Sequence, residues 1–135
     1  MTALPIITDR TKSLRLVLAT DAVVTAANGL VYLALATPVS ELLGPGAGPL
    51  RAIGAGLLVY GAAVGLLARR RPIPPSLTWA IIALNILWPL AGLITLVTGA
   101  LDLTTAGTLW TIVQALVVAA FAELQFIALR KTRTR

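Results

Sequence analysis

With 58% hydrophobic and only 12% charged residues, this 135-residue chain is too apolar for a soluble globular domain, where charged residues approach about a quarter. Its formal charge of +6 invites a nucleic-acid reading, but all of the 11 basic residues except Arg51 fall in three clusters: Arg10, Lys12 and Arg15; Arg69 to Arg71; and Arg130, Lys131, Arg133 and Arg135. That distribution points to the lipid bilayer as the partner, not nucleic acid, and the absence of Cys and His excludes disulfides, thiolate nucleophiles, haem ligation and most zinc sites.

The first apolar stretch, roughly 14–36, is long enough to cross a ~30 Å hydrocarbon core as a helix. It carries Asp21, Thr25, Asn28 and Tyr32 at spacings of 4, 3 and 4, which a helix gathers within about 60° of one another. A stripe of that kind facing lipid would be costly, so it is expected to face the interior of a bundle, as a site or as interhelical hydrogen-bonding glue. The stretch ends in Ala34-Leu35-Ala36, a pattern seen at leader cleavage sites, but its length and its polar residues speak against a cleaved leader.

The run TPVSELLGPGAGP at 37–49 breaks the helix before a second apolar stretch at 50–68. Here Gly54, Gly61 and Gly65 fall on one line, a small-residue surface that lets another backbone approach closely. Arg51, at the mouth of this span, is a candidate for snorkelling to headgroups, for pairing with Glu41 or Asp102, or for guarding an outer entrance. RRRPIPPS at 69–76 separates it from a third stretch at 77–97, which holds Asn85 and Trp88, with Gly92 and Thr95 on nearly the same face. Pro89 removes the hydrogen bond to the Asn85 carbonyl and is a candidate kink.

TGALDLTTAG at 98–107 offers several N-caps for a fourth stretch at 108–129. By depth, Asp21, Asn85 and Glu123 each lie roughly 3 to 8 Å to one side of mid-span, so they are expected to share a layer. Two carboxylates close together there do not both ionise, and such a pair would hold a proton or a cation. Trp110, Gln114, Phe121 and Gln125 make a separate face from Glu123, which leaves two arrangements open: one face meets a second subunit, or Glu123 reaches the interface near Arg130.

Four spans with short loops make an all-α membrane protein, a four-transmembrane-helix bundle in a single domain. The basic clusters favour the cytoplasmic side, giving an N-in, C-in multi-pass protein of a bacterial inner membrane. An offset of about 64 sets Asp21 on Asn85 and Asn28 on Gly92, a faint internal echo that parallel repeats or compositional chance would equally produce.

The stretches LATDAVVTAANGLVYL, RAIGAGLLVYGAAVGLLARRRP and ALNILW together resemble the small four-span integral membrane proteins of actinobacteria. The shape is also similar to DoxX-like four-helix proteins and, in length alone, to small multidrug resistance transporters, which use an acid in the first helix much as Asp21 is placed. The resemblance implies the fold and no particular activity. No nucleophile with its base, phosphate-binding loop or metal-ligand cluster is visible, so neither catalysis nor a cofactor nor a metal is expected. The leading expectation is a non-catalytic accessory or scaffolding subunit that associates with a partner membrane protein or with itself. The alternative is a small transporter or lipophilic-ligand binder, with Asp21, Thr25, Asn28, Asn85 and Glu123 as its intramembrane site.

Overall fold

The computed structural model describes residues 3–133, with side chains described from Lys12 to Lys131. The side chains of Arg10 and Arg133, and Arg135 altogether, lie outside the described residues. Five helices follow in order: α1 (Ala3–Ala34), α2 (Ala36–Leu43), α3 (Ala47–Arg69), α4 (Pro75–Thr98) and α5 (Thr105–Arg133). No strand occurs among the described residues. Four helices, over Lys12–Ala34, Ala47–Arg69, Pro75–Thr98 and Thr105–Lys131, are long and apolar enough to cross a membrane. Lipid offers no partner to free backbone groups, and a helix satisfies them within itself.

The expected break after the first span is instead a break at Leu35 followed by a two-turn helix, α2. Its Pro38 falls in the first turn, where no intrahelical N–H is needed. α4 runs unbroken through Pro89. α1 packs along α3, α4 along α5, and α1 against α5, whereas α3 and α4 scarcely approach each other and the backbones of α1 and α4 stand apart. The bundle therefore has one loose seam, between α3 and α4.

The two ends of the bundle differ. At the end where Arg15, Arg69, Arg70, Arg71, Arg130 and Lys131 gather, Leu14, Leu18, Val64, Leu67, Ile82 and Leu129 join a solid apolar plug. Arg15 Nη1 donates to the carbonyls of Ala68 and, at 3.0 Å, of Arg70, capping the C-terminal end of α3 with a cation where orphan carbonyls and the helix dipole favour one. Trp79 stands edge-on to Phe126, with centroids 5.5 Å apart, and the Arg130 guanidinium lies 5.6 Å over the same Phe126 ring.

The opposite end is knitted by hydrogen bonds. Thr104 is the N-cap of α5, accepting from the Gly107 N–H at 3.0 Å. Its hydroxyl donates to the Leu42 carbonyl at 2.7 Å and its N–H to the Leu43 carbonyl at 2.9 Å, which ties the end of α2 to the start of α5. Gly44, at φ +111°, sits so close to the Asp102 carbonyl that no Cβ fits between them. Thr104→Val loses both the cap and the Leu42 bond. It is expected to lower stability by about 1 to 2 kcal/mol in thermal unfolding of detergent-solubilised protein, with Thr104→Ser close to wild type.

The α1–α3 contact rests on small residues. A Cβ on Gly54 would lie 2.7 Å from the Gly29 carbonyl oxygen, and one on Gly61 would lie 2.9 Å from the Ala26 amide nitrogen. Gly65 is different, since a Cβ there would meet only the Ala22 methyl, at an ordinary 3.6 Å. Two of the three expected glycines thus set a close approach, and Gly29 of α1, absent from the expected set, completes it.

Candidate functional site

Asp21, 1% exposed, is surrounded by polar side chains from three other positions on three helices. Its Oδ1 accepts from the Thr25 hydroxyl one turn on, at 2.9 Å. Its Oδ2 accepts from Asn85 Nδ2 of α4 at 2.8 Å and from Gln125 Nε2 of α5 at 2.7 Å. The second amide hydrogen of Asn85 goes to Gln125 Oε1 at 2.9 Å, and the Tyr60 hydroxyl of α3 donates to Asn85 Oδ1, also at 2.9 Å. All four long helices are thereby joined through one carboxylate and two amides. Asn85 and Gln125 are 3% and 0% exposed, and no buried side-chain polar atom among the described residues lacks a partner.

The expected acidic layer is thus corrected at one member. Asp21, Thr25 and Asn85 come together, but Glu123 is exposed on the outer face of α5 and its place is taken by Gln125. The two residues are two positions apart, about 200° around a helix, so a helix that turns one inward must turn the other out. The site is one carboxylate held by neutral donors, not a carboxylate pair. Gln125 was legible as part of the face it shares with Trp110, Gln114 and Phe121, and those three line one cavity, with Trp110 still 40% exposed. Tyr60 gave no signal beyond lying next to Gly61.

The network forms the floor of a cavity of about 870 Å³ in the half of the bundle away from the plug. Thr25, Tyr60 and Asn85 line it from below, while Asp21 and Gln125 sit behind them and do not. Apolar side chains make most of the wall, among them Val31, Ile53, Leu57, Leu87 and Val117. Among the described residues no charged side chain lines it. A second polar group includes Asn28, Trp110 and Gln114 of the wall and Tyr32 behind them: the Tyr32 hydroxyl accepts from Trp110 Nε1 at 2.7 Å and from Gln114 Nε2 at 3.5 Å, and Asn28 hydrogen-bonds the same tyrosine.

A smaller cavity of about 280 Å³ lies on the far side of Trp88, Trp110 and Gln114, towards α2 and the 99–104 loop. Arg51, the candidate for an outer entrance, is exposed at the start of α3 and lines neither cavity. Among the described residues no group of His, Cys, Asp or Glu could hold a metal ion.

A volume of several hundred Å³, apolar walls and a few placed polar groups are the attributes of small-molecule sites. Comparison with protein families, curated proteins and solved structures finds no match to this chain.

Proposed function

We propose that this membrane protein is a non-catalytic binder of a lipophilic small molecule, which enters from the bilayer through the α3–α4 seam and lodges in the central cavity. The observation that carries this is the 870 Å³ apolar chamber at mid-bundle, closed at one end by the plug and floored by a fully satisfied polar network. Helices that only had to hold together in lipid would do so by van der Waals contact and interhelical hydrogen bonds, with no reason to stand apart. Both oxygens of Asp21 are engaged and lie behind the cavity wall.

A scaffolding or self-associating role draws its motive from polar and small-residue faces in excess of what four helices need. The network takes up Asp21, Asn85 and Gln125, and Gly29, Gly54 and Gly61 pack between α1 and α3. The basic end is proposed to face the cytoplasm of a bacterial cell, which places both termini inside.

Trp88 and Trp110 line the cavity and Trp79 does not, so Trp79→Phe leaves two reporters, both at the site. In nanodiscs, a brominated alkane is expected to quench them in two phases, one saturable and one linear with its bilayer mole fraction. Gly56 lines the cavity with nothing within 4 Å of its Cβ position, so Gly56→Phe adds a ring at the cavity wall without a clash at its Cβ. That variant is expected to lose the saturable phase and keep the linear one. Identical quenching in both proteins would overturn the proposal.

A further inference from the structure

We infer that the floor of the cavity selects a ligand whose polar head donates hydrogen bonds, a hydroxyl or an amine on an apolar body, over one whose head only accepts them. The inference rests on the binding role proposed above and adds the chemistry of the head group.

A carboxylate only accepts, and Asp21 takes hydrogens from Thr25, Asn85 and Gln125. Thr25 has one hydroxyl hydrogen and spends it there. Asn85 has two amide hydrogens, spent on Asp21 and Gln125. Tyr60 has one, directed to Asn85 Oδ1 at 2.9 Å, with the Ile81 carbonyl at 3.3 Å as the only other acceptor it meets, so either way it turns away from the cavity.

The three residues that line the floor are therefore left with lone pairs and no hydrogens. Thr25 and Tyr60 present hydroxyl oxygens and Asn85 the second lone pair of its carbonyl. The buried acid behind the floor takes the Thr25 hydrogen and one of Asn85's, Gln125 takes Asn85's other and Asn85 takes Tyr60's, which leaves the cavity-facing surface an acceptor. At the floor a head that only accepts meets lone pairs and stays unpaired, which is unfavourable in apolar surroundings. An anionic head finds no Lys or Arg on the wall. The Asn28, Gln114 and Trp88 side chains higher up keep hydrogens of their own, so discrimination belongs to the floor.

The test uses the Trp79→Phe protein in nanodiscs with the brominated alkane bound, displaced by decanol, by decylamine and by decyl methyl ether, each at known bilayer mole fraction. The alcohol and the amine are expected to displace the probe at about tenfold lower mole fraction than the ether, the worth of one well-made hydrogen bond. In Asp21→Asn a single amide oxygen, which accepts at most two hydrogens, replaces an acceptor of three, so at least one donor among Thr25, Asn85 and Gln125 is released, and two of these three line the cavity. There the preference is expected to fall to near unity while saturable quenching persists.

An ether that displaces as well as the alcohol from saturably quenched wild type overturns the inference and leaves the binding role standing. A preference that survives Asp21→Asn overturns it equally. No saturable quenching in wild type removes the binding role itself. If Asp21→Asn does not fold, the wild-type comparison decides alone.

Discussion

Asn85→Leu is expected to lower the stability of the detergent-solubilised protein by about 2 to 3 kcal/mol, read from thermal or SDS-driven unfolding followed by helicity. Asn85 makes three side-chain hydrogen bonds, two given to Asp21 and Gln125 and one taken from Tyr60. At the roughly 0.6 kcal/mol typical of one interhelical hydrogen bond in a membrane protein, the three sum to about 2 kcal/mol. The buried carboxylate sets the upper end, since a charged group deprived of a donor costs up to about 3 kcal/mol.

The same reasoning predicts coupling. Asp21→Leu, Asn85→Leu and Gln125→Leu each strand the groups left behind, whereas the triple variant removes all three and leaves only the Thr25 and Tyr60 hydroxyls without their network partners, so it is expected to be more stable than the sum of the three single losses. Glu123→Gln, on the exposed face of α5, is expected to stay within about 0.5 kcal/mol of wild type. A loss at Glu123 equal to that at Asn85 would contradict the assignment of Gln125 to the network.

The second large effect lies between α1 and α3. Gly61→Ala places a methyl 2.9 Å from the Ala26 nitrogen and 3.0 Å from the Ala22 oxygen, both backbone atoms that yield only if the helices part. Forcing extra volume into a packed contact costs about 1 to 3 kcal/mol, and backbone neighbours put this case at the upper end. Gly65→Ala, on the same line of the same helix, meets only a methyl at 3.6 Å and gains helix propensity, so it is expected to be neutral or stabilising by up to about 1 kcal/mol. The pair, measured by the same unfolding assay, separates close approach from mere sequence periodicity.

Four spans were legible because length and apolarity are properties of each segment alone, and lipid leaves a helix as the only conformation for an isolated apolar segment. The inward turn of Asp21, Thr25 and Asn85 was legible for a similar reason, since a mid-membrane polar side chain has one affordable direction. What was not legible depends on how helices rotate against one another. Glu123 and Gln125 are both polar and near one depth, and only the rotation of α5, set by Trp110, Gln114 and Phe121 facing inward, decides between them. The preference for a second carboxylate also favoured the wrong residue, because a lone acid in a dry interior is well served by neutral amide donors.

Gly29 was missed because a close approach takes two surfaces, and only the more regular one, on α3, shows a spacing. The helix at 36–43 was hidden by the Pro and Gly around it, although Pro38 lies in its first turn, where it is harmless. The cavity has no sequence signature at all, being the space left where α3 and α4 fail to meet.

The most direct test of the account is photolabelling with a diazirine-bearing alkane in nanodiscs, with labelled residues mapped by mass spectrometry, in the presence and absence of excess unlabelled decanol. The account predicts two classes of residue. Gly56, Leu57, Leu87 and Ala91 line the cavity and are labelled in a manner that decanol suppresses, whereas Val59, Leu66 and Val97, exposed on the outer surface, are labelled irrespective of competitor. Labelling confined to the outer surface, or labelling of the cavity residues that decanol leaves unchanged, would contradict it.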